Sequence, residues 1–172
     1  KYLLVDGYNI IFSWDELRDL SEVNIASARN ALMDILSNYQ GYKKDTLILV
    51  FDAYKVEGNP GQVFKYHNIY VVYTKEAETA DQYIEKTVHR MNRKYEVTVA
   101  TSDALEQVII LGQGGQRLSA QGLKEEVEQT CREIRKILEE RQETDKNYLL
   151  KDIPAEMADM LEDVRLGKRR FK

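Results

Sequence analysis

The chain has 172 residues, a length that fits one domain with a core large enough to need no disulfide or structural metal. Apolar residues make up 43%, charged residues 31%, and the net charge is −4, which excludes a disordered, fibrous or strongly basic protein. No apolar run approaches the roughly 20 residues of a bilayer crossing and no signal-like segment is present, so we expect a cytosolic protein. The single cysteine, Cys131, excludes an intrachain disulfide, and we expect a buried packing thiol.

Four apolar segments of strand length are bounded by turn residues and lack the strict alternation of a half-exposed sheet. This pattern predicts strands that are buried on both faces, as in a parallel sheet. The segments are residues 2–5, 47–51, 69–73 and 97–100, and residues 116–120 predict a short fifth strand.

Helical patterns separate these strands. Apolar residues recur at three- and four-residue spacing from residue 25 up to Gly41, which suits the end of a helix. Thr79 and Gln82 have the spacing of a capping box, so they predict the start of a second helix that continues to about Met91.

The second half of the chain contains three further helical patterns. Residues 103–111 fit a helix better than a strand, because Asp103 and Glu106 match another capping pair. Residues 121–142 predict a long amphipathic helix. The last 22 residues combine an apolar stripe with a basic end, which predicts a short docking helix and a tail.

Strands that alternate with helices predict an α/β fold with a largely parallel sheet, right-handed crossovers and helices on both faces. We expect residues 1–144 to form this domain. Residues 145–172 are expected to add the docking helix and basic tail within the same structural unit.

Acidic or amide side chains follow three of the predicted strands at the point where each strand ends. Asp6 and Asn9 follow the first strand, Asp52 the second, and Ser102 with Asp103 the fourth. Because the carboxyl ends of parallel strands lie along one edge of a sheet, we expect these side chains to gather there.

Asp81 approaches the same edge from the first turn of the helix that begins at Thr79. It lies three residues before Ile84 and seven before Val88, which places it on or beside the face that packs against the sheet. Each of these acids also has a structural alternative as a turn or cap residue.

Four carboxylates at one edge need compensation, because each pair repels by about 1 to 4 kcal/mol at 4 Å. No lysine or arginine lies at the matching strand ends, so a divalent cation is the economical counter-ion. Oxygen ligands favour Mg²⁺ or Mn²⁺, which would leave positions for phosphate oxygens and an attacking water. The pattern therefore predicts a hydrolytic phosphodiester site.

Three neighbouring residues are candidates for substrate contact. The Asn9 amide both donates and accepts, so it can orient an aspartate, a water or a scissile phosphate, and Ser102 can act likewise. Gly7 permits a tight turn, after which the Tyr8 ring would lie near the mouth of the site and stack on a base; ordinary core packing is the alternative for Tyr8.

The segments "VDGYNII", "VFDA", "ETADQYIEK" and "VATSD" closely resemble the NYN-domain family of PIN-like nucleases, in particular its bacterial YacP-like branch. The resemblance extends from Tyr2 to about Gln142. It implies a PIN-like three-layer α/β/α fold, an acidic metal site and endonucleolytic cleavage of RNA. It further implies a role in messenger RNA decay coupled to translation, with the ribosome as a partner.

The resemblance also implies roles for individual residues. Asp52 falls on the additional strand-end acid of the family, and many PIN nucleases take a further glutamate ligand from elsewhere in the chain. Whether Glu78 fills that place is left open by the sequence, as is the number of metals. The residues on the family's active-site positions are Asp6, Asn9, Asp81 and Asp103.

Basic clusters are candidates for RNA contact, although most such runs are solvated faces. The C-terminal cluster is the best of them. Residues 54–68 form a long polar connection that we expect to be a mobile loop beside the site, where Tyr54, Tyr66 and His67 can meet RNA. The basic tail residues are Arg165, Lys168, Arg169 and Arg170.

Three other functions remain as alternatives. A non-catalytic RNA- or ribosome-binding module would keep the fold and use the acids structurally. A phosphotransferase of haloacid-dehalogenase type normally needs a second aspartate where this chain has Tyr8, and a receiver-like switch lacks its paired acids. A histidine mechanism is disfavoured, because His67 and His89 are the only histidines and His89 lies off the Asp81 side of its helix.

Overall fold

A computed structural model describes residues 1–53, 61–151 and 155–167 of the protein. Its contacts divide the chain into two compact units, Lys1–Cys131 and Arg132–Lys172. The strands are β1 (Tyr2–Asp6), β2 (Thr46–Phe51), β3 (Gln62–Tyr66), β4 (Ile69–Tyr73), β5 (Val97–Ala100) and β6 (Gln116–Leu118). The helices are α1 (Gly7–Ser13), α2 (Asp15–Val23), α3 (Ile25–Lys43), α4 (Ala80–Met91), α5 (Ala104–Gly112), α6 (Ala120–Lys151) and α7 (Ala155–Arg165).

The six strands form one sheet in the order β3-β4-β2-β1-β5-β6. All neighbouring pairs are parallel except β3 with β4, which form an antiparallel edge. The central strand β1 pairs with β2 through Leu4 opposite Ile48 and with β5 through Leu4 opposite Val99. The predicted α/β fold with a central, mainly parallel sheet is therefore confirmed.

Helices cover both faces of the sheet, which gives the three layers expected from the sequence. Successive β1 residues point to opposite faces, so Leu3 and Val5 belong to one apolar cluster and Leu4 to the other. The first cluster includes residues of α1, α2, α3 and the start of α6. The second includes Ile84 of α4 and Ile110 of α5. Burial on both faces explains why the strands lack polar alternation.

Several local expectations need correction. The chain after β1 forms two helices, α1 and α2, that the sequence did not predict. Part of the expected loop, Gln62–Tyr66, is an edge strand, and residues 54–60 lie outside the described residues. Helix α3 passes through Gly41, where the sequence predicted its end, and ends at Lys43, with Lys44 in the left-handed conformation. Cys131 is exposed rather than buried, so the prediction of a packing thiol is wrong.

The second unit contains the rest of α6 and the short helix α7. Met157 and Leu161 of α7 are about half exposed, so a helix with an apolar stripe forms where the sequence predicted one. Its docking role stays a prediction. Among the helices that the structure describes, none combines the length and apolar character that crossing a membrane requires.

Candidate metal centre

Asp6 lies at the junction of β1 and α1, at the centre of the carboxyl edge of the sheet. Its side chain caps α1 by accepting a hydrogen bond from the backbone N–H of Asn9 at 3.4 Å, and the residue is only 5% exposed. The Phe51 ring packs close against the start of α1, since a Cβ on Gly7 would lie 2.3 Å from Cε1 of Phe51. Glycine at this position thus lets the first helix start against the sheet and fixes where the Asp6 carboxylate lies.

Two carboxylates from other elements meet Asp6. Asp81 comes from the first turn of α4, which the predicted capping box of Thr79 and Gln82 starts, and Glu106 comes from the first turn of α5. Each of the three residues offers one oxygen, and these atoms all lie within 4.8 Å of one another. Asp6 and Glu106 are buried, while Asp81 is exposed and forms the open side of the cluster.

The electrostatics of this acid cluster, defined as Asp6, Asp81 and Glu106, are unfavourable without a cation. Burial, followed by the charges of Glu106 and Asp81, raises the pKa of Asp6 to about 8. Burial likewise raises the pKa of Glu106 to about 7, against the opposing effect of a hydrogen bond from the Thr101 side chain, and the charges of Asp81 and Asp103 add to the increase. In the absence of a cation the cluster therefore retains protons at neutral pH.

The donor set fits a hard divalent cation. Both carboxylate oxygens of Glu106 are buried and make no well-formed hydrogen bond, although the side chains of Thr101 and Asp81 lie near enough to interact with them. Leaving a buried polar group without a partner costs about 1 to 3 kcal/mol, and more when the group is charged. Three carboxylates and no nitrogen or sulfur ligand are the chemistry that Mg²⁺ and Mn²⁺ prefer.

Glu106 is the site residue that sequence analysis missed. It was interpreted as the partner of Asp103 in a capping pair, and Asp103 does cap α5 by accepting from the N–H groups of Leu105 and Glu106. The Glu106 side chain instead points into the acid cluster. Its position four residues before the fully buried Ile110 is the signal that could have indicated an inward direction.

Two predicted metal ligands, Asp52 and Asp103, make structural contacts at helix starts. Asp52 follows β2 as expected, and its carboxylate accepts a hydrogen bond of 2.5 Å from the backbone N–H of Ala80 at the start of α4. Asp103 is engaged as the cap of α5. Neither belongs to the group of three that could hold an ion among the described residues, so ligation by Asp52 or Asp103 stays a prediction.

Asn9 and Ser102 meet at the exits of β1 and β5. The amide oxygen of Asn9 accepts from the backbone N–H of Ser102 at 2.6 Å and also from its hydroxyl. The hydroxyl of Ser13 lies 2.9 Å from Ser102 Oγ and 2.7 Å from the backbone carbonyl oxygen of Asn9, and it has one proton to donate between them. Because a backbone N–H can only donate, this contact identifies the amide oxygen, and the amide nitrogen of Asn9 remains available to donate to a ligand.

The Tyr8 ring packs in the core rather than at the mouth. It is 3% exposed, contacts Phe51 with ring centroids 5.1 Å apart, and its hydroxyl accepts from Arg29 at 3.1 Å. Stacking on a base would require the ring to leave this packing, so the structure matches the packing alternative for Tyr8.

The remaining expectations concern charged residues away from the cluster. Glu78 pairs with Lys86 at 2.6 Å and is not one of the three clustered acids. Arg165 in the second unit pairs with Glu162 at 2.5 Å. The predicted RNA contacts Lys168, Arg169 and Arg170 lie outside the described residues, as does Tyr54.

Comparison with known proteins agrees with this fold. Residues 3–166 match the model of the YacP-like NYN domain. The chain therefore belongs to the YacP-like NYN domain family, which is part of the PIN-like nuclease superfamily. The family expected from the four sequence segments is thus confirmed.

Individual relatives come from Bacillus subtilis. The protein YacP of strain 168 is 42% identical over 144 residues, which span 81% of this chain and 84% of the relative. A crystal structure of Rae1 (YacP) superimposes with a TM-score of 0.72 at 37% identity, covering 97% of this chain and 95% of that one. A crystal structure of a Rae1 mutant gives a TM-score of 0.72 at 36% identity, covering 95% and 99%.

Proposed function

We propose that this protein is a divalent-cation-dependent endoribonuclease that hydrolyses phosphodiester bonds of messenger RNA. The observation that carries the proposal is the convergence of three carboxylates, in which the buried Glu106 lies beside Asp6 and Asp81 with one oxygen of each residue within 4.8 Å of the others. A structural role alone would not explain why three acids, two of them buried, are kept together. Membership of a family within the PIN-like nucleases supports the substrate class.

The acid cluster would bind Mg²⁺ or Mn²⁺ through Asp6, Asp81 and Glu106. A bound divalent cation supplies Lewis acidity, which polarises the phosphate and the attacking water. Hydrolysis joins the water oxygen to phosphorus, breaks the bond to the 3′ oxygen and leaves a 5′-phosphate with a 3′-hydroxyl. Asp81, the exposed member, is placed to receive the proton that the water loses.

Asn9 would orient the phosphate. Ser102 holds the amide oxygen of Asn9, so the amide N–H groups can donate to a non-bridging phosphate oxygen. Ser13, the last residue of α1, supports this arrangement through the contacts of its hydroxyl with Ser102 Oγ and with the backbone carbonyl oxygen of Asn9. Ser102 and Ser13 are accordingly positioning residues.

The physiological substrate is proposed to be messenger RNA on translating ribosomes, in the cytoplasm. This part rests on the resemblance to the YacP-like branch and on charge. A net charge of −4 gives weak intrinsic attraction to RNA, so a larger ribonucleoprotein that presents the strand would compensate.

A cleavage assay tests the proposal. The protein is incubated with single-stranded RNA and with messenger RNA bound to ribosomes, in Mg²⁺, in Mn²⁺ and in chelator, and the ends are mapped. We expect cation-dependent cuts with 5′-phosphate ends, and we expect Asp81→Asn to reduce the rate by about 100-fold or more.

The matched control is Glu85→Gln, which removes an exposed carboxylate one helical turn further along α4, where it contacts Gln113 rather than the cluster. This variant should cut at the rate of the unsubstituted protein. Equal cutting by Asp81→Asn and the unsubstituted protein would rule out the proposed site. RNA binding that survives chelation, with no cleavage of either substrate, would instead support the non-catalytic alternative.

A further inference from the structure

Phe12 presents an exposed aromatic ring next to the candidate site. It is 44% exposed, whereas Tyr8, the other aromatic residue of α1, is 3% exposed. Phe12 lies three residues after Asn9 in the same helix, so the two side chains are neighbours with Cβ atoms about 5 to 6 Å apart. An exposed ring therefore stands directly beside the proposed phosphate-orienting amide.

The packing beneath Phe12 holds its ring in place. Phe12 and Tyr8 are stacked, with ring centroids 6.2 Å apart and planes inclined by 19°. Tyr8 is itself fixed by Phe51 and by the hydrogen bond from Arg29. A ring supported in this way loses little freedom when a ligand stacks on it, which favours binding.

The position of Phe12 matches a substrate that passes the acid cluster. It lies six positions after Asp6, which corresponds to about 9 Å along a helix. The next residue, Ser13, bonds to Ser102 at the exit of β5. The residue that follows Phe12 thus adjoins the polar exit of β5, while the ring itself packs on Tyr8 and keeps 44% of its residue surface exposed.

We propose that Phe12 forms a stacking subsite for one nucleobase of single-stranded RNA, adjacent to the phosphate at the acid cluster. The subsite rests on the proposed function, which supplies the phosphate position. Stacking of a base on an aromatic side chain typically contributes enough that its loss weakens binding by about 5- to 150-fold. Base identity matters little in such a contact, because every base has a π face.

The test uses Asp81→Asn protein, which is expected to bind RNA without cutting it. A set of single-stranded decamer RNAs is used, in which each RNA carries 2-aminopurine at a different position. Affinity and fluorescence quenching are measured with Mg²⁺ present. We expect Phe12→Ala and Phe12→Leu to weaken binding by about 5- to 150-fold and to abolish quenching at one position. Phe12→Trp should retain both, because it restores an aromatic face while leucine restores only apolar bulk.

Tyr95→Ala is the matched control. Tyr95 is 49% exposed and also packs on another ring, Tyr2, but it precedes β5 at the opposite end of the sheet. This variant should bind normally. Thermal unfolding of every variant establishes that the fold is intact.

Three results would overturn the subsite. The first is equal RNA affinity with and without Phe12→Ala in the Asp81→Asn protein, and the second is an equal loss of affinity with Tyr95→Ala. The third is no decamer binding by the Asp81→Asn protein itself. Its failure can be distinguished from failure of the proposed function. Cation-dependent cutting by protein with Asp81 intact, together with no effect of Phe12→Ala, removes the subsite alone. A Phe12-dependent quench without any cutting removes the nuclease proposal and leaves the subsite.

Discussion

Replacing Glu106 with glutamine should make the cation-free protein more stable at alkaline pH. The substitution keeps the size of the side chain but removes one charge from the acid cluster. Burial raises the pKa of Glu106 from 4.5 to about 7, so the folded protein binds this proton more tightly than the unfolded chain. The associated stability is present below pH 4.5 and is lost as the pH rises through 7.

The size of the effect follows from that difference in pKa. At about 1.4 kcal/mol per pKa unit, moving from 4.5 to about 7 corresponds to as much as about 3 kcal/mol. In chelator, the free energy of unfolding of the unsubstituted protein should therefore fall between pH 5 and pH 8 by up to that amount more than that of Glu106→Gln. At a hundred times its dissociation constant, Mg²⁺ should restore about 2.7 kcal/mol to the unsubstituted protein and less to the variant.

Urea denaturation measures both quantities at pH 5 and pH 8, in chelator and in Mg²⁺. The control is Glu78→Gln, since the Glu78 carboxylate pairs with Lys86 outside the cluster. It should behave as the unsubstituted protein does. The reasoning is refuted if Glu106→Gln keeps the full loss of stability with pH and the full gain from Mg²⁺.

Three further substitutions separate local structure from the proposed chemistry. Gly7→Ala places a Cβ 2.3 Å from Cε1 of Phe51, so urea denaturation should show a loss of about 1 to 3 kcal/mol from overpacking. Asp52→Ala removes a cap of α4 and should cost about 1 kcal/mol in the same assay, while Mn²⁺ affinity by calorimetry stays unchanged. Ser102→Ala removes one of two hydrogen bonds to Asn9, so kcat should fall about fivefold with unchanged Mn²⁺ affinity.

A specific result would contradict each of these three expectations. Gly112→Ala is the control for Gly7→Ala, because a Cβ there meets nothing within 4 Å, and equal effects of the two would contradict the close-approach argument. A fall in Mn²⁺ affinity with Asp52→Ala would show that Asp52 also ligates the ion, as its place at the end of β2 predicts. An unchanged kcat for Ser102→Ala would remove its positioning role.

The fold was largely predictable because its strongest signals are local. Strands buried on both faces read as continuous apolar runs, and the Thr79–Gln82 capping box starts α4 as expected. Two kinds of element were not predicted from the sequence. The helix α1 begins with Gly7 and contains Asn9, residues typical of turns, and forms because Ile10 and Ile11 are fully buried.

The edge strand β3 was not predicted from the sequence for a different reason. It lies in a segment rich in turn residues, and its pairing with β4 depends on a turn in which His67 adopts a φ of 51°. Glycine and asparagine are the usual signals for such a backbone, and histidine at this position gave no comparable cue.

The candidate site was predictable in its location but not in all its members. The strand-end argument correctly placed Asp6 at the carboxyl edge, and helix periodicity brought Asp81 towards it. The same argument does not separate a ligand from a cap, so it does not reveal that Asp52 and Asp103 also hold helix starts, and their ligation stays a prediction. Glu106 was missed because its spacing from Asp103 fits a capping pair, and only the packing of α5 shows which way it points.

The central claim is that Asp6, Asp81 and Glu106 converge to hold one divalent cation. Anomalous diffraction from crystals soaked in Mn²⁺ tests it most directly, because manganese is located independently of any assumed ligand. We predict an anomalous peak bonded to an oxygen of each of the three carboxylates, and no peak there in crystals of Glu106→Gln soaked alike. A peak bound elsewhere, or an acid cluster without manganese at saturating concentration, would contradict the claim.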